Sequence, residues 1–199
     1  MKKILVSQRV DMISSYGERR DALDQRWFSL LDSLGLIGFP VPNNPPVLSK
    51  IIKTVDFDGV LLTGGETPAI YGGKALDRDE TDRALITYAI GKGLPIFGVC
   101  RGMQSILLYF GGSLKEAPGH IRTMHRVFGL YSSVVNSFHS LIPHTLPMDI
   151  TAIFKTEDGT VEGIRHRLMP ITGIMWHPER EPVLSERDLQ LIRKSFLLE

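Results

Sequence analysis

The chain has 199 residues, 43% of them hydrophobic, and its 23 basic side chains against 22 acidic ones leave a formal net charge of +1. That length and composition suit one compact domain over residues 1–199, while the balanced charge gives no electrostatic case for a nucleic acid or an anionic membrane as partner. A single cysteine cannot form an internal disulfide and no stretch approaches membrane-spanning length, so a reducing cytoplasm is the expected setting.

The N-terminal apolar stretch breaks at Ser7-Gln8-Arg9 and reads as a first strand, being far too short for a signal peptide. Through the first two thirds of the chain, short apolar runs alternate with helical patterns, as in a parallel sheet with helices on its faces. The strand candidates are residues 4–7, 38–41, 59–62 and 94–99. A helix is expected over 20–34, where Leu23, Trp27, Leu30, Leu31 and Leu34 fall at helical spacing before Gly35. A second is expected over 81–90, behind the acid-rich Asp77-Arg78-Asp79-Glu80-Thr81-Asp82, and a third over 101–110. Strands then become shorter, at 126–135, 152–156, 161–165 and 173–176, and read as mixed or antiparallel additions. Glu157-Asp158-Gly159-Thr160 is a hairpin turn, and a last helix over 186–198 has Ser185 as its N-cap. No repeat or linker divides the chain.

Cys100 stands at the centre of Gly98-Val99-Cys100-Arg101-Gly102, between an apolar strand and an apolar-periodic helix. Glycines two residues to either side fit a nucleophile elbow, where strand and helix backbones crowd together and the middle residue projects. At the helix N-terminus the dipole and free N–H groups favour thiolate. A lone cysteine is more often a small buried hydrophobe, but two flanking glycines are costly unless the turn between them is used. A thiol nucleophile needs a base and a group that orients it. His177-Pro178-Glu179 supplies both, with histidine and glutamate on the same side of an extended segment that leaves the strand over 173–176. Oxyanion donors are expected at the Arg101 amide and in the Leu61-Leu62-Thr63-Gly64-Gly65 turn. His139 is the strongest competitor as base, yet no carboxylate is placed to orient it. The remaining histidines show no metal-ligand spacing, so neither metal nor cofactor is expected.

Phe97-Gly98-Val99-Cys100-Arg101-Gly102-Met103-Gln104, Thr63-Gly64-Gly65, Ser137-Phe138-His139 and Met175-Trp176-His177-Pro178-Glu179 together resemble the class I glutamine amidotransferase-like hydrolases, nearest in type to free-standing γ-glutamyl hydrolases. The resemblance covers nearly the whole chain. It implies an α/β, flavodoxin-like three-layer sandwich with a mostly parallel central sheet, a nucleophile elbow and a small antiparallel addition. It implies Cys100 as nucleophile, His177 as base and acid, Glu179 as orienter, and the Gly65 and Arg101 amides as oxyanion hole. Gly64, Gln104, Ser137 and Phe138 would bind a small-molecule γ-glutamyl substrate, without nucleic acid or membrane and in a possible homodimer. The family's Gly-Gly-x-Asp is here Gly64-Gly65-Glu66-Thr67, and relatives tend to be longer. Tyr16-Gly17-Glu18-Arg19-Arg20-Asp21 is similar to the branch that hydrolyses γ-glutamyl CDP-amidate in capsule phosphoramidate synthesis, which would set Arg19 and Arg20 against a leaving-group phosphate. Equally, both arginines would be solvated and paired with Asp21 or Asp24. Two other readings compete: a glutaminase subunit passing ammonia to a separate synthetase, and a non-enzymatic redox-sensing α/β protein.

Overall fold

Apolar side chains on both faces of a short strand require cover on both faces, and the first half of the chain supplies it. In the computed structural model, which describes residues 1–198, β1 (Lys2–Val6) is followed by a hairpin of β2 (Arg9–Ile13) and β3 (Glu18–Ala22), then α1 (Arg26–Ser33) and β4 (Leu36–Pro40). Next come α2 (Pro45–Thr54), β5 (Gly59–Leu62), α3 (Leu76–Lys92), β6 (Ile96–Val99) and α4 (Arg101–Tyr109). The second half comprises β7 (Ser113–Glu116), β8 (Ile121–Gly129), β9 (Ser133–Phe138), β10 (Leu141–Thr145), β11 (Ile150–Thr156), β12 (Val161–His166), β13 (Ile171–Ile174) and α5 (Glu186–Ser195).

Nine strands form one sheet in the order β4-β1-β5-β6-β13-β12-β11-β8-β9. The first five run parallel, and from β13 onward each neighbour is antiparallel. The expected α/β sandwich is present, with the antiparallel addition amounting to four strands. Strand alternation divides the core between the two faces. Ile4, Val6, Leu61, Phe97 and Val99 pack with Trp27 and Leu30 of α1 and with Leu191 and Ile192 of α5. Leu5, Val60, Leu62 and Ile96 face the other way, onto Leu48 of α2, Leu85 and Ile86 of α3, and Met103 and Ile106 of α4. No helix among the described residues is long and apolar enough to cross a membrane.

The expected helix over 20–34 starts only at Arg26, because Glu18 to Ala22 pair with Ile13 to Arg9 as a hairpin. Its open end is tied down by Asp21, whose carboxylate accepts from the Asn43 amide at 2.9 Å and from Asn43 Nδ2 at 2.7 Å. The single strand expected over 126–135 is two strands, β8 and β9, joined by a turn from which the Tyr131 hydroxyl donates to Asp188 at 2.7 Å. The sequence reading omitted α2, capped by Asn44 ahead of Pro45, and the separate two-stranded sheet of β7 and β10. Helix α3 begins at Leu76 instead of residue 81, since its first turns bury Arg78, Thr81 and Asp82. A polar face turned inward hides from any reading of apolar periodicity.

Candidate active site

Strand β6 ends at Val99 and α4 starts at Arg101, which leaves Cys100 alone to turn the chain, at φ 52° and ψ −106°. A non-glycine residue in that region is strained, and the surrounding bonds hold it there. The Cys100 N–H donates to the Ile174 carbonyl at 2.7 Å and its carbonyl accepts from the Gln104 N–H at 3.0 Å. The flanking glycines are steric requirements. A β-carbon on Gly102 would lie 2.0 Å from the Leu62 carbonyl oxygen, and one on Gly98 would lie 2.7 Å from the Gly102 carbonyl carbon. The elbow therefore presses α4 against β5 and β6 with no room for a side chain.

Strand β13 runs parallel to β6 with Ile174 beside Val99, so residues 175–177 leave the sheet at the same edge as Cys100. The segment does not remain extended as expected: Pro178–Arg180 forms a 3-10 turn, which brings Glu179 back under the histidine. Glu179 Oε1 accepts from His177 Nδ1 at 2.7 Å, and both side chains are almost fully buried. Burial disfavours a charged ring, but the Cys100 sulfur and then the Glu179 carboxylate outweigh it and raise the His177 pKa to about 9. The ring thus holds its proton at neutral pH. Asn136 fixes the backbone beneath it, with Oδ1 accepting from the His177 N–H at 2.9 Å and Nδ2 donating to the His177 carbonyl at 2.8 Å. One ring face is set by Gly64, where a β-carbon would lie 2.5 Å from His177 Cε1. Phe138 packs edge-on against the same ring, with centroids 5.8 Å apart.

Beside them lies the Thr63-Gly64-Gly65 loop, held from behind by the wholly buried Arg78. Its guanidinium donates to the carbonyls of Thr63 at 2.7 Å and Gly64 at 3.3 Å, and to Ser7 Oγ at 3.3 Å. With those carbonyls engaged, the amides of Gly64 and Gly65 have no acceptor among the described residues, and neither has the amide of Arg101. The Arg78 charge is met by Asp82 at 3.5 Å and Glu66 at 3.7 Å. Asp82 also faces Arg101 at 3.6 Å, and Asp79 pairs with Arg101 directly, so the helix that follows the elbow is locked to α3.

Cys100, His177, Glu179, Gly64, Gly65 and Phe138 line one pocket of about 270 Å³ together with Thr63, Glu66 and the β2–β3 hairpin. Gln104 and Ser137 do not line it: Gln104 Nε2 donates to the Leu141 carbonyl at 3.0 Å, and Ser137 Oγ to the His120 carbonyl at 2.5 Å. Arg19 and Arg20 are also outside it, because β3 turns them to solvent, where Arg19 pairs with Asp77 at 2.7 Å and Arg20 with Glu18 at 2.7 Å. The partners expected for them, Asp21 and Asp24, are taken by Asn43 and Arg26. The arginines that reach the pocket are Arg9 and Arg180. Arg180 lies over the Phe138 ring at 4.6 Å, and its buried Nε, 3.6 Å from Glu179 Oε1, has no hydrogen-bond partner among the described residues. His139 does have a carboxylate, Glu162 at 3.3 Å, brought by β12 from a distant part of the chain.

Three residues that organise the pocket escaped the sequence reading: Arg78, Asn136 and Arg180. Arg78 was detectable, since Arg78, Asp82, Leu85 and Ala89 share one helix face and a buried ion pair on an apolar stripe signals a polar task. Asn136 acts through backbone contacts that no spacing announces.

Fold and site together define a cysteine-dependent amide hydrolase of the α/β class. Residues 21–198 match the family model for class-I glutamine amidotransferases, and the chain belongs to that family. It is 29% identical to the gamma-glutamyl-CDP-amidate hydrolase of Campylobacter jejuni over 97% of this chain and 96% of that protein. It is 32% identical to the aminodeoxychorismate/anthranilate synthase component 2 of Bacillus subtilis, over 80% of this chain and 85% of that one. In fold it is similar to a glutamine amidotransferase from Thermotoga maritima, with a TM-score of 0.68, 16% identity, and coverage of 98% and 96% of the two chains.

Proposed function

We propose that the protein hydrolyses a γ-glutamyl amide through a thioester on Cys100. The observation that carries this reading is the shared pocket: a strained cysteine, a histidine that keeps its proton to about pH 9, and a carboxylate 2.7 Å behind it. The Cys100 thiolate attacks the γ-carbonyl, and the negative charge that develops on oxygen is met by the Gly65 and Arg101 amides. The intermediate collapses with cleavage of the C–N bond as His177 gives its proton to the departing nitrogen, leaving a glutamyl thioester. A water then attacks the thioester while His177 takes its proton, which releases glutamate and frees Cys100 for the next cycle. Glu179 holds the ring with Nδ1–H inward so that Nε2 serves the reaction.

The leaving group of this reading is a nucleotide phosphoramidate. Support comes from the identity to the Campylobacter jejuni hydrolase over nearly the full length of both chains, and from Arg180, whose guanidinium reaches the pocket as a donor for phosphate oxygens; Arg9 also lines the pocket but is paired with Asp11 at 2.9 Å. The test is a panel of γ-glutamyl compounds with and without a phosphate on the amine side, read as free glutamate, with the Cys100 adduct trapped and weighed. A glutamyl adduct and preference for the phosphate-bearing compounds are expected; a different acyl mass sinks the reading.

A second reading rests on the similarity to the Bacillus subtilis component: a glutaminase that delivers ammonia to a separate synthetase. Such a protein is nearly inactive alone. Rapid turnover of γ-glutamyl compounds by the isolated chain decides against it.

A further inference from the structure

Four side chains that this reaction does not use meet between β12, the β8–β9 hairpin and the loop ahead of it. Glu162 is completely buried, and neither carboxylate oxygen has a hydrogen-bond partner among the described residues. A carboxylate enclosed that way is strongly disfavoured unless a positive charge satisfies it. Three imidazoles surround it: His139 Nε2 and His120 Nδ1 stand 3.3 and 3.7 Å from Oε1, and His125 Nε2 stands 3.5 Å from Oε2. His139 Nε2 and His120 Nδ1 are 3.1 Å apart. His125 Nε2 also lacks a hydrogen-bond partner among the described residues.

Those separations are long for charge-assisted hydrogen bonds, which run to about 2.7–2.9 Å. They approach the spacing of ligands around one small cation, because ligands bonded at about 2.0–2.1 Å to a common zinc ion sit roughly 3.3 Å from one another. Ligand atoms from His120, His125 and Glu162 lie within 4.8 Å of one another. We propose that His120, His125 and Glu162 bind a divalent cation of the zinc class. Imidazole nitrogens with one carboxylate favour such an ion over Mg²⁺ or Ca²⁺, which take oxygen ligands.

The ion serves placement instead of chemistry. His120 also accepts, through its carbonyl, from Ser137 Oγ at 2.5 Å and from the His139 N–H at 3.2 Å. A cation there ties the loop at His120 to the segment that carries Phe138 against the His177 ring, and fastens both to β12. Bound metal therefore raises stability and steadies one wall of the pocket without touching the scissile bond.

The test uses the full chain carrying Cys100→Ala, so that no thiol competes for metal and no activity is needed. Protein stripped with a chelator is titrated with Zn²⁺ and separately with Mg²⁺, and metal retained after gel filtration is counted by mass spectrometry. One equivalent of zinc and no magnesium is expected, with a melting temperature higher by about 5–10 °C at 100 times the dissociation constant. Glu162→Gln, which keeps the side-chain shape, and His125→Ala are each expected to weaken zinc more than about 100-fold, whereas His177→Asn keeps the equivalent. Co²⁺ in the same protein is expected to give the intense visible absorption of a four-coordinate site. Failure to retain zinc, or an equivalent that survives both Glu162→Gln and His125→Ala, overturns the proposal and leaves a proton-shared histidine–glutamate cluster.

Discussion

Two buried histidine–glutamate assemblies lie at opposite ends of the short Asn136–His139 stretch, and they are built differently. In the pocket, His177 and Glu179 are 2.7 Å apart, the histidine backbone is clamped by Asn136, and the ring faces a thiol and unpaired amides. In the cluster, Glu162 meets three rings at 3.3 to 3.7 Å, with both oxygens unpartnered and no nucleophile beside them. Residue type is the same in both places. A close pair holds a proton in one orientation, as acid–base work requires, whereas a ring of separated donors around one carboxylate is set for a shared cation.

The comparison breaks most directly at Cys100. Cys100→Ala is expected to lower turnover of γ-glutamyl compounds more than about 10⁴-fold with the fold intact by circular dichroism, while zinc retention at the cluster is unaffected. Glu179→Gln is expected to cost about 10²–10⁴-fold in kcat with little change in KM, by removing the charge that stabilises the His177 imidazolium and fixes its tautomer. The equivalent change in the cluster, Glu162→Gln, alters metal content first. Arg78→Met is expected to remove about 3–5 kcal/mol of stability in denaturant unfolding, because Asp82 and two loop carbonyls lose their buried partner. It also slows the chemical step by loosening the loop that presents Gly65.

A smaller effect separates the assemblies by pH. The His177 pKa is raised from 6.5 to about 9, so its contribution to stability is fully present below pH 6.5 and is lost as pH rises through about 9. Melting temperatures from pH 6 to 10 are expected to fall more steeply for the unmodified chain than for His177→Gln. Smallest of all, replacing both Arg19 and Arg20 by alanine is expected to change turnover less than about twofold, in the range of exposed ion pairs, on phosphate-bearing and plain substrates alike. Arg180→Ala is expected to raise KM selectively for the phosphate-bearing ones.

The parallel half of the fold and the residues at its edge were legible because each rests on a local signal. Strands at β5 and β6, the glycines around Cys100 and the His177-Pro178-Glu179 run all carry their reason within a few positions. The hairpin of β2 and β3 was not, because its strands are polar and owe their place to distant partners such as Asn43. Of the two readings of Arg19 and Arg20, the structure has the solvated one, with Asp77 and Glu18 as partners, and a pattern fixes neither the turn nor the face that would have decided between them. Glu162 lies 23 residues from His139 and 42 from His120, so only the antiparallel pairing of the second half could join them.

The positive φ at Cys100 sets two selective pressures against each other. Glycine would occupy that conformation without strain, so a Cys100→Gly chain is expected to resist denaturant at least as well as its parent while performing no reaction. Ranked by durability and by catalysis, the two chains would stand in reverse order. A screen for stability alone would drift toward deleting the proposed nucleophile, and only a selection that demands turnover would keep a side chain at the tip of the elbow.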